Sequence, residues 1–275
     1  MGVSLTGEGR TWLITGCSGG LGAALAEAAL ADGDRVVATA RSLERLPDSL
    51  RRPTNRIEPV QLDVTDGSSI ERAVERAIRR FGSLEVAVNN AGYCYLSSIE
   101  AGDENEIRRI FDTNFFGIVA LTKAVVPIMK SAGQGTIVNI SSAAGVVGLE
   151  GMGYYCATKF AVEGMSDALA AELAPHNVDV LVVQPGAMWS NFTRSSLVIA
   201  GDEHPEYSAV LARKAWFAAA GESEMGCVRR AAGAVVRHLA SPANSVRLVL
   251  GERARSLIEQ KSNALIGACQ NAVAI

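Results

Sequence analysis

The sequence has no C-x-x-C pair and no cluster of histidines, so the commonest metal sites are not indicated and no metal is expected. His176, His204 and His238 lie far apart in the chain. The five cysteines, Cys17, Cys94, Cys156, Cys227 and Cys269, are odd in number. They read as free thiols in a reducing compartment, which makes a cytoplasmic location the expectation. No uninterrupted apolar run of about 20 residues occurs, so no membrane contact is expected. The N-terminus lacks the charged-then-apolar pattern of a secretory leader. Strong charge is missing too. The net charge of -3 argues against a nucleic-acid surface. It does not argue against an anionic cofactor, which one helix N-terminus can hold locally. No repeat, low-complexity tract or linker divides the 275 residues, and one domain over 1–275 is expected.

What is present is alternation. Apolar residues make up 48% of the chain, enough for a large core. Short apolar runs at 11–15, 35–40, 57–62, 84–88, 136–140, 179–183 and 246–250 read as buried strands. Helical stretches fall between them, at 23–31, 67–81, within 103–131, at 154–174 and 225–239, and from 253 to about 269. Strand–helix alternation throughout predicts a mostly parallel sheet with helices on both faces, an α/β doubly wound fold.

The first strand runs into Gly16-Cys17-Ser18-Gly19-Gly20-Leu21-Gly22 and then into a helix. Glycines there let the backbone approach a pyrophosphate, and the helix offers unpaired N–H groups and a positive dipole end. The spacing is G-x-x-x-G-x-G, not the commoner G-x-G-x-x-G. At the end of the second strand, enzymes that use NAD usually carry an acid for the ribose 2′-hydroxyl. This chain has Ala40 followed by Arg41. A guanidinium suits a 2′-phosphate, so NADP(H) is expected over NAD(H). Two further strands end in polar turns, Asn89-Asn90-Ala91-Gly92 and Ser141-Ser142, in the crevice where such sheets bind ligands.

Tyr155 and Lys159 stand four residues apart in a helical stretch, on one face about a turn apart. A phenol titrates near ~10. A nearby ammonium is expected to draw that value toward neutrality and make the phenol a proton donor and acceptor. Asn114 sits in the middle of a predicted helix beside Phe115, Phe116 and Gly117. Asn is a mediocre helix former, so a special role is expected of it.

Thr15-Gly16-x-x-x-Gly20-x-Gly22, Asp63, Asn89-Asn90-Ala91-Gly92, Asn114, Ser142, Tyr155-x-x-x-Lys159 and Pro185-Gly186 follow one another in order. On these residues the sequence resembles the short-chain dehydrogenase/reductase family, nearly throughout up to Gly186 and more loosely beyond. The run Val36-Val37-Ala38-Thr39-Ala40-Arg41 and the stretch 160–164 look most like its 17β-hydroxysteroid-dehydrogenase-like and retinol-dehydrogenase-like reductases.

The resemblance implies a three-layer Rossmann fold whose seven-stranded parallel sheet has the order 3-2-1-4-5-6-7. It implies Tyr155 as acid and base. Lys159 would tune the tyrosine and hold the nicotinamide ribose. Ser142 would hydrogen-bond the substrate oxygen. Asn114 would kink its helix and hold a water in a proton relay. Gly16, Ser18, Gly20, Leu21, Gly22, Arg41, Asp63, Val64, Asn90, Ala91, Gly92, Pro185, Gly186, Met188 and Ser190 would contact the cofactor. Trp189, where the family often has a smaller residue, would meet the substrate or cover the cofactor. The implied reaction interconverts a ketone and a secondary alcohol. The segment 187–221 would be a substrate lid, and its large apolar residues suit a steroid, polyketide-type or lipid-like substrate. Homodimers or homotetramers would form through the helices at 103–131 and 154–174. Two other activities fit the same fold: a cofactor-binding sensor without turnover, and an isomerase or epimerase working through a transient ketone.

Overall fold

The computed structural model describes residues 9–189, 197–200, 207–220, 225–241 and 246–271. Seven strands form one parallel sheet: β1 Thr11–Ile14, β2 Arg35–Ala40, β3 Ile57–Gln61, β4 Val86–Asn89, β5 Gly135–Ile140, β6 Val178–Pro185 and β7 Arg247–Leu250. Their order is β3-β2-β1-β4-β5-β6-β7, as the resemblance implied. The order reverses between β1 and β4, and the crevice at that switch point is where the site lies.

Among the described residues, eight helices of two turns or more connect and cover the sheet: α1 Gly20–Ala31, α2 Gly67–Phe81, α3 Glu104–Phe111, α4 Gly117–Ala132, α5 Gly153–Leu173, α6 Ser208–Ala219, α7 Val228–Leu239 and α8 Glu252–Gln270. The strands are apolar on both faces because both faces are covered. Trp12 and Ile14 of β1 pack with Leu25 and Ala29 of α1 and Val235 of α7. Leu13, on the other face, packs with Ile70 and Val74 of α2 and with Leu121, Val125 and Met129 of α4. Trp12, Leu13 and Ile14 are fully buried. Such side chains contribute about 1.5–3 kcal/mol each by leaving water, so the strand that carries the glycine loop is firmly seated.

Local chemistry sets the helix ends. The Asp66 carboxylate accepts from Ser68 N at 3.0 Å to start α2, and Gly82 ends it at φ 80°, a left-handed position that suits glycine. The Asp103 carboxylate accepts from Glu106 N at 2.8 Å and starts α3.

Three details differ from the sequence expectation. The long helix within 103–131 is two α-helices joined by a π-helical turn, Asp112–Phe116. The helix expected from 225 begins at Val228, because Gly226–Cys227 pair in parallel with Met188–Trp189. A second small ribbon, Cys94–Leu96 with Leu197–Ile199, was not expected. Taken together, residues 104–132 are long enough to cross a membrane and contain an 18-residue window of mean hydropathy 1.5, which counting uninterrupted apolar runs did not reveal. The apolar side of that stretch is used against the sheet, where Leu121, Val125 and Met129 are fully buried.

Candidate active site

The carboxyl ends of β1, β2, β4, β5 and β6 open onto one cleft of about 1140 Å³. The glycine loop closes one end. Gly16 adopts φ 74° and Gly20 φ 56°, both in the left-handed region that glycine tolerates. Gly22 is required for a different reason. A methyl group there would lie 2.4 Å from both Asn90 Nδ2 and the Gly16 carbonyl oxygen. Two turns are thereby locked together. Asn90 Nδ2 donates to the Thr15 carbonyl at 2.8 Å, and Thr15 Oγ1 accepts from Asn90 N and Ala91 N at 2.9 and 3.0 Å. The N-cap of α1, Gly19, offers no side-chain hydrogen bond, so the first-turn N–H groups face the cleft unmet by a capping side chain.

Ala40, Arg41 and Arg45 line the cleft beyond β2, and Asp63 and Val64 line it beyond β3. Ala40 is buried and small, and no carboxylate occupies the end of β2. Arg41 is exposed and its side chain makes no ion pair among the described residues. Arg45 was missed by the sequence reading, since an arginine in a 3-10 turn carries no local signal. Asp63 Oδ1 accepts from Thr65 N at 3.0 Å and Thr65 Oγ1 at 2.8 Å, which holds its loop open toward the cleft.

Ser142, Tyr155 and Lys159 meet at the centre of the cleft. Ser142 follows β5 and starts a short 3-10 turn by accepting from Ala144 N at 3.1 Å. Its hydroxyl also contacts the Pro185 carbonyl at 3.3 Å and lies near enough to the Tyr155 phenol to favour its ionised form. Ser141, the neighbouring hydroxyl, makes no such contact; its Oγ is buried without a hydrogen-bond partner. Tyr155 and Lys159, from α5, are 8% and 5% exposed. The Lys159 ammonium lies 5.7 Å from the centre of the Tyr155 ring and donates to the Ile140 carbonyl at 2.7 Å.

The tuning differs from the expectation. Burial raises the Tyr155 phenol above its ordinary range; the Cys94 and Cys156 thiols add to the rise, and the Ser142 hydrogen bond opposes it. Burial likewise pushes Lys159 down from 10.5 to about 8, against the opposing pull of Cys94 and Glu163. Desolvation is the leading influence on both groups. At neutral pH the phenol is held protonated, which is the form that can give a proton to an alkoxide.

Asn114 occupies the π-helical turn and is fully buried. Its side chain acts as a clamp. Oδ1 accepts from Tyr93 N at 3.0 Å, and Nδ2 donates to the Tyr93 carbonyl at 2.8 Å and to Thr158 Oγ1 at 3.3 Å. Both amide hydrogens are engaged by protein acceptors. The clamp ties the turn after β4 to the helix of Tyr155, and Gly92 fits beneath it, where a methyl group would lie 3.0 Å from Asn114 Oδ1.

Of the expected cofactor contacts, Gly16, Ser18, Gly20, Leu21, Arg41, Asp63, Val64, Asn90, Ala91, Gly92, Pro185, Gly186 and Met188 line this cleft. Gly22 packs behind the loop rather than lining it. Ser190 and the Trp189 side chain lie outside the described residues; the Trp189 backbone pairs with Cys227. Arg213, Trp216, Phe217 and Arg253 also line the cleft. The sequence reading noted Trp216 and Phe217 only as apolar residues of a loose segment and passed over both arginines.

A family model described as short chain dehydrogenase matches residues 10–197. Oxidoreductase BOA17 of Botryotinia fuckeliana is 35% identical over 243 residues, 88% of this chain and 89% of its own length. A short-chain dehydrogenase of Streptomyces avermitilis, known as a crystal structure, is 35% identical and superposes with a TM-score of 0.89 over 97% of this chain and 96% of its own. A short chain dehydrogenase of Burkholderia cenocepacia, crystallised in complex with NADP, is 28% identical with a TM-score of 0.75 over 98% and 99% of the two chains.

Proposed function

The chain belongs to the short-chain dehydrogenase family, and from that premise we propose that it is an NADP(H)-dependent oxidoreductase. It interconverts a ketone and a secondary alcohol on a medium or bulky hydrophobic substrate. The observation that carries this reading is the meeting of Ser142, Tyr155 and Lys159 in the cleft that the glycine loop closes.

The residues present fit a dinucleotide. Gly16, Gly19 and Gly20 line the cleft with bare backbone, Gly22 lets the loop pack against Asn90 behind it, and the N-terminus of α1 faces the same space, as a pyrophosphate needs. Arg41, with Arg45 beside it, supplies the positive charge for a 2′-phosphate, and the buried Ala40 leaves no acid to repel it. The Burkholderia relative's complex with NADP accords with this choice. The bound nicotinamide supplies the hydride.

The chain's own residues do the rest. Ser142 and Tyr155 direct two hydrogen bonds at the carbonyl oxygen, where negative charge grows during reduction. Preorganised donors of this kind contribute a few kcal/mol, on the order of 3. Tyr155, held protonated by burial, gives its proton to the alkoxide. Lys159 holds the ribose hydroxyls and keeps positive charge beside the phenol as it loses the proton. Asn114 fixes the spacing between the turn after β4 and α5 through its contacts with Tyr93 and Thr158.

Leu149, Met152, Val198, Trp216 and Phe217 line the end of the cleft beyond Tyr155. They form the floor and cover for a hydrophobic substrate; of the expected lid 187–221, residues 190–196, 201–206 and 221 lie outside the described residues. Assembly uses the outer sides of α4 and α5, where Phe116 and Phe160 remain 55% and 44% exposed and Gly164 has open space over it. A homodimer or homotetramer covers them, and mass measurement in solution reads which.

The test is a panel of hydrophobic ketones and their alcohols, assayed with NADPH, NADH and the oxidised forms. Turnover that prefers the 2′-phosphorylated cofactor supports the reading. Tight NADPH binding with no turnover of any pair overturns it in favour of a sensor.

A further inference from the structure

We propose that the substrate carries a carboxylate remote from its reacting carbonyl, and that Arg213, with Arg253 beside it, reads that group. This deepens the reading of the same cleft and rests on it.

Five arginines line the cleft: Arg41, Arg45, Arg109, Arg213 and Arg253. Among the described residues only Arg109 has a carboxylate partner, Glu106 on its own helix. Arg41 and Arg45 lie at the β2 end. Arg213 and Arg253 lie at the opposite end, with the reacting residues between. The cleft is therefore positive at both ends, and a dinucleotide accounts for one of them.

Arg213 belongs to α6 and is partly buried. Its Nε donates to the Glu150 carbonyl at 2.6 Å, which fixes the plane of the guanidinium. Among the described residues its two terminal amino groups make no hydrogen bond. Arg253 stands at the start of α8, with its guanidinium 5.3 Å from the centre of the Trp216 ring. That cation–π contact holds the exposed Arg253 beside α6.

Between these two cations and Tyr155 the walls are apolar. Arg213 is half-buried and Arg253 exposed, and among the described residues neither has a carboxylate partner, so both can pair with an anionic group on a ligand. A planar carboxylate matches the free edge of a fixed guanidinium with two parallel hydrogen bonds. A neutral ester of the same skeleton fills the apolar walls equally and leaves the cations unmet.

The experiment uses matched pairs of ketones, each an acid and its methyl ester, beginning with 4-acetylbenzoate and methyl 4-acetylbenzoate and extending to longer aryl and alkyl keto acids. Initial rates with NADPH are measured for the parent, Arg213→Gln and Arg213→Lys. Titration calorimetry on the NADP-loaded protein measures binding of each acid and ester without turnover. Charge-assisted hydrogen bonds of this kind correspond to about 10- to 100-fold in affinity. For at least one skeleton the parent is expected to favour the acid by about that factor in kcat/KM and in binding. Arg213→Gln is expected to abolish the preference, chiefly through KM, and Arg213→Lys to restore part of it. Arg213→Gln can still donate to the Glu150 carbonyl, so a purely structural clasp would lower acid and ester alike and leave their ratio fixed. A preference for esters, equal handling of every pair, or an acid preference that survives Arg213→Gln overturns the inference. If no ketone turns over but acids bind selectively through Arg213, the redox reading falls and takes the reacting carbonyl with it, and only the carboxylate contact of Arg213 stands. If esters turn over without acid preference, the redox reading stands and the inference falls.

Discussion

Replacing Lys159 by Met should make the protein more stable in a way that disappears at high pH. The ammonium is buried in the fold, and its proton affinity falls from 10.5 to about 8. At about 1.4 kcal/mol per pH unit, that gap costs the folded state on the order of 3 kcal/mol near neutrality. The hydrogen bond from Nζ to the Ile140 carbonyl, 2.7 Å long, offsets roughly 1.5–3 kcal/mol of this. At about pH 7 the Met variant should therefore be equal to the parent or more stable by up to about 2 kcal/mol.

The pH dependence carries the stronger test, because the carbonyl's loss is the same at every pH. The folded lysine titrates near 8 and the unfolded one near 10.5. Between these values the unfolded chain binds more protons, so the parent gains stability as pH rises, and the variant has no such group. The penalty is complete below the folded value and gone above the unfolded one. Urea unfolding of both proteins from about pH 7 to about pH 10.5 should show the variant losing about 3 kcal/mol relative to the parent. Turnover should be lost throughout. A stability difference that stays flat over this window, or moves toward the variant as pH rises, would refute burial as the origin of the lysine's tuning.

Two further substitutions probe the cofactor half. Gly22→Ala puts a methyl group 2.4 Å from Asn90 Nδ2 and the Gly16 carbonyl. Forcing the loops apart should cost about 1–3 kcal/mol and weaken NADPH binding at least about tenfold; a variant with parental melting temperature and affinity would contradict the packing described. Arg41→Asp should lower kcat/KM for NADPH about 10- to 100-fold relative to NADH, by losing one charge-assisted contact and adding repulsion. An unchanged ratio would show that Arg41 does not read the 2′-phosphate.

Much of this architecture is legible without coordinates. β1, the glycine loop and α1 announce themselves because backbone demands leave a mark on residue type: Gly16 must reach φ 74° and Gly22 must lack a side chain. The oddity of a mid-helix Asn114 pointed to a real irregularity, the π-helical turn, although the clamp it makes with Tyr93 and Thr158 joins positions too distant to pair by inspection. The Tyr155–Lys159 spacing places the two groups correctly and misjudges their tuning. Spacing reports proximity, while the proton affinities follow burial, and burial depends on how β5, β6 and the turn after β4 enclose α5.

The ribbon of Cys94–Leu96 with Leu197–Ile199 was invisible for a similar reason, being three residues long and formed by segments a hundred positions apart. Arg213 and Arg253 carry no motif, and only the cleft shows what they face. The helix start near 225 was misplaced because Gly226–Cys227 are claimed by a parallel pairing with Met188–Trp189, a tertiary demand that helical propensity cannot register.

The central claim is that Tyr155 is the proton donor in a reduction powered by a bound nicotinamide. Tyr155→Phe removes one oxygen and leaves the ring that fills the same buried space. Single-turnover reduction of a ketone substrate by the NADPH-loaded variant measures that oxygen's contribution alone. The account predicts undiminished NADPH affinity with the chemical step slowed by about 10²- to 10⁴-fold; a variant that reduces the ketone at the parental rate would contradict it.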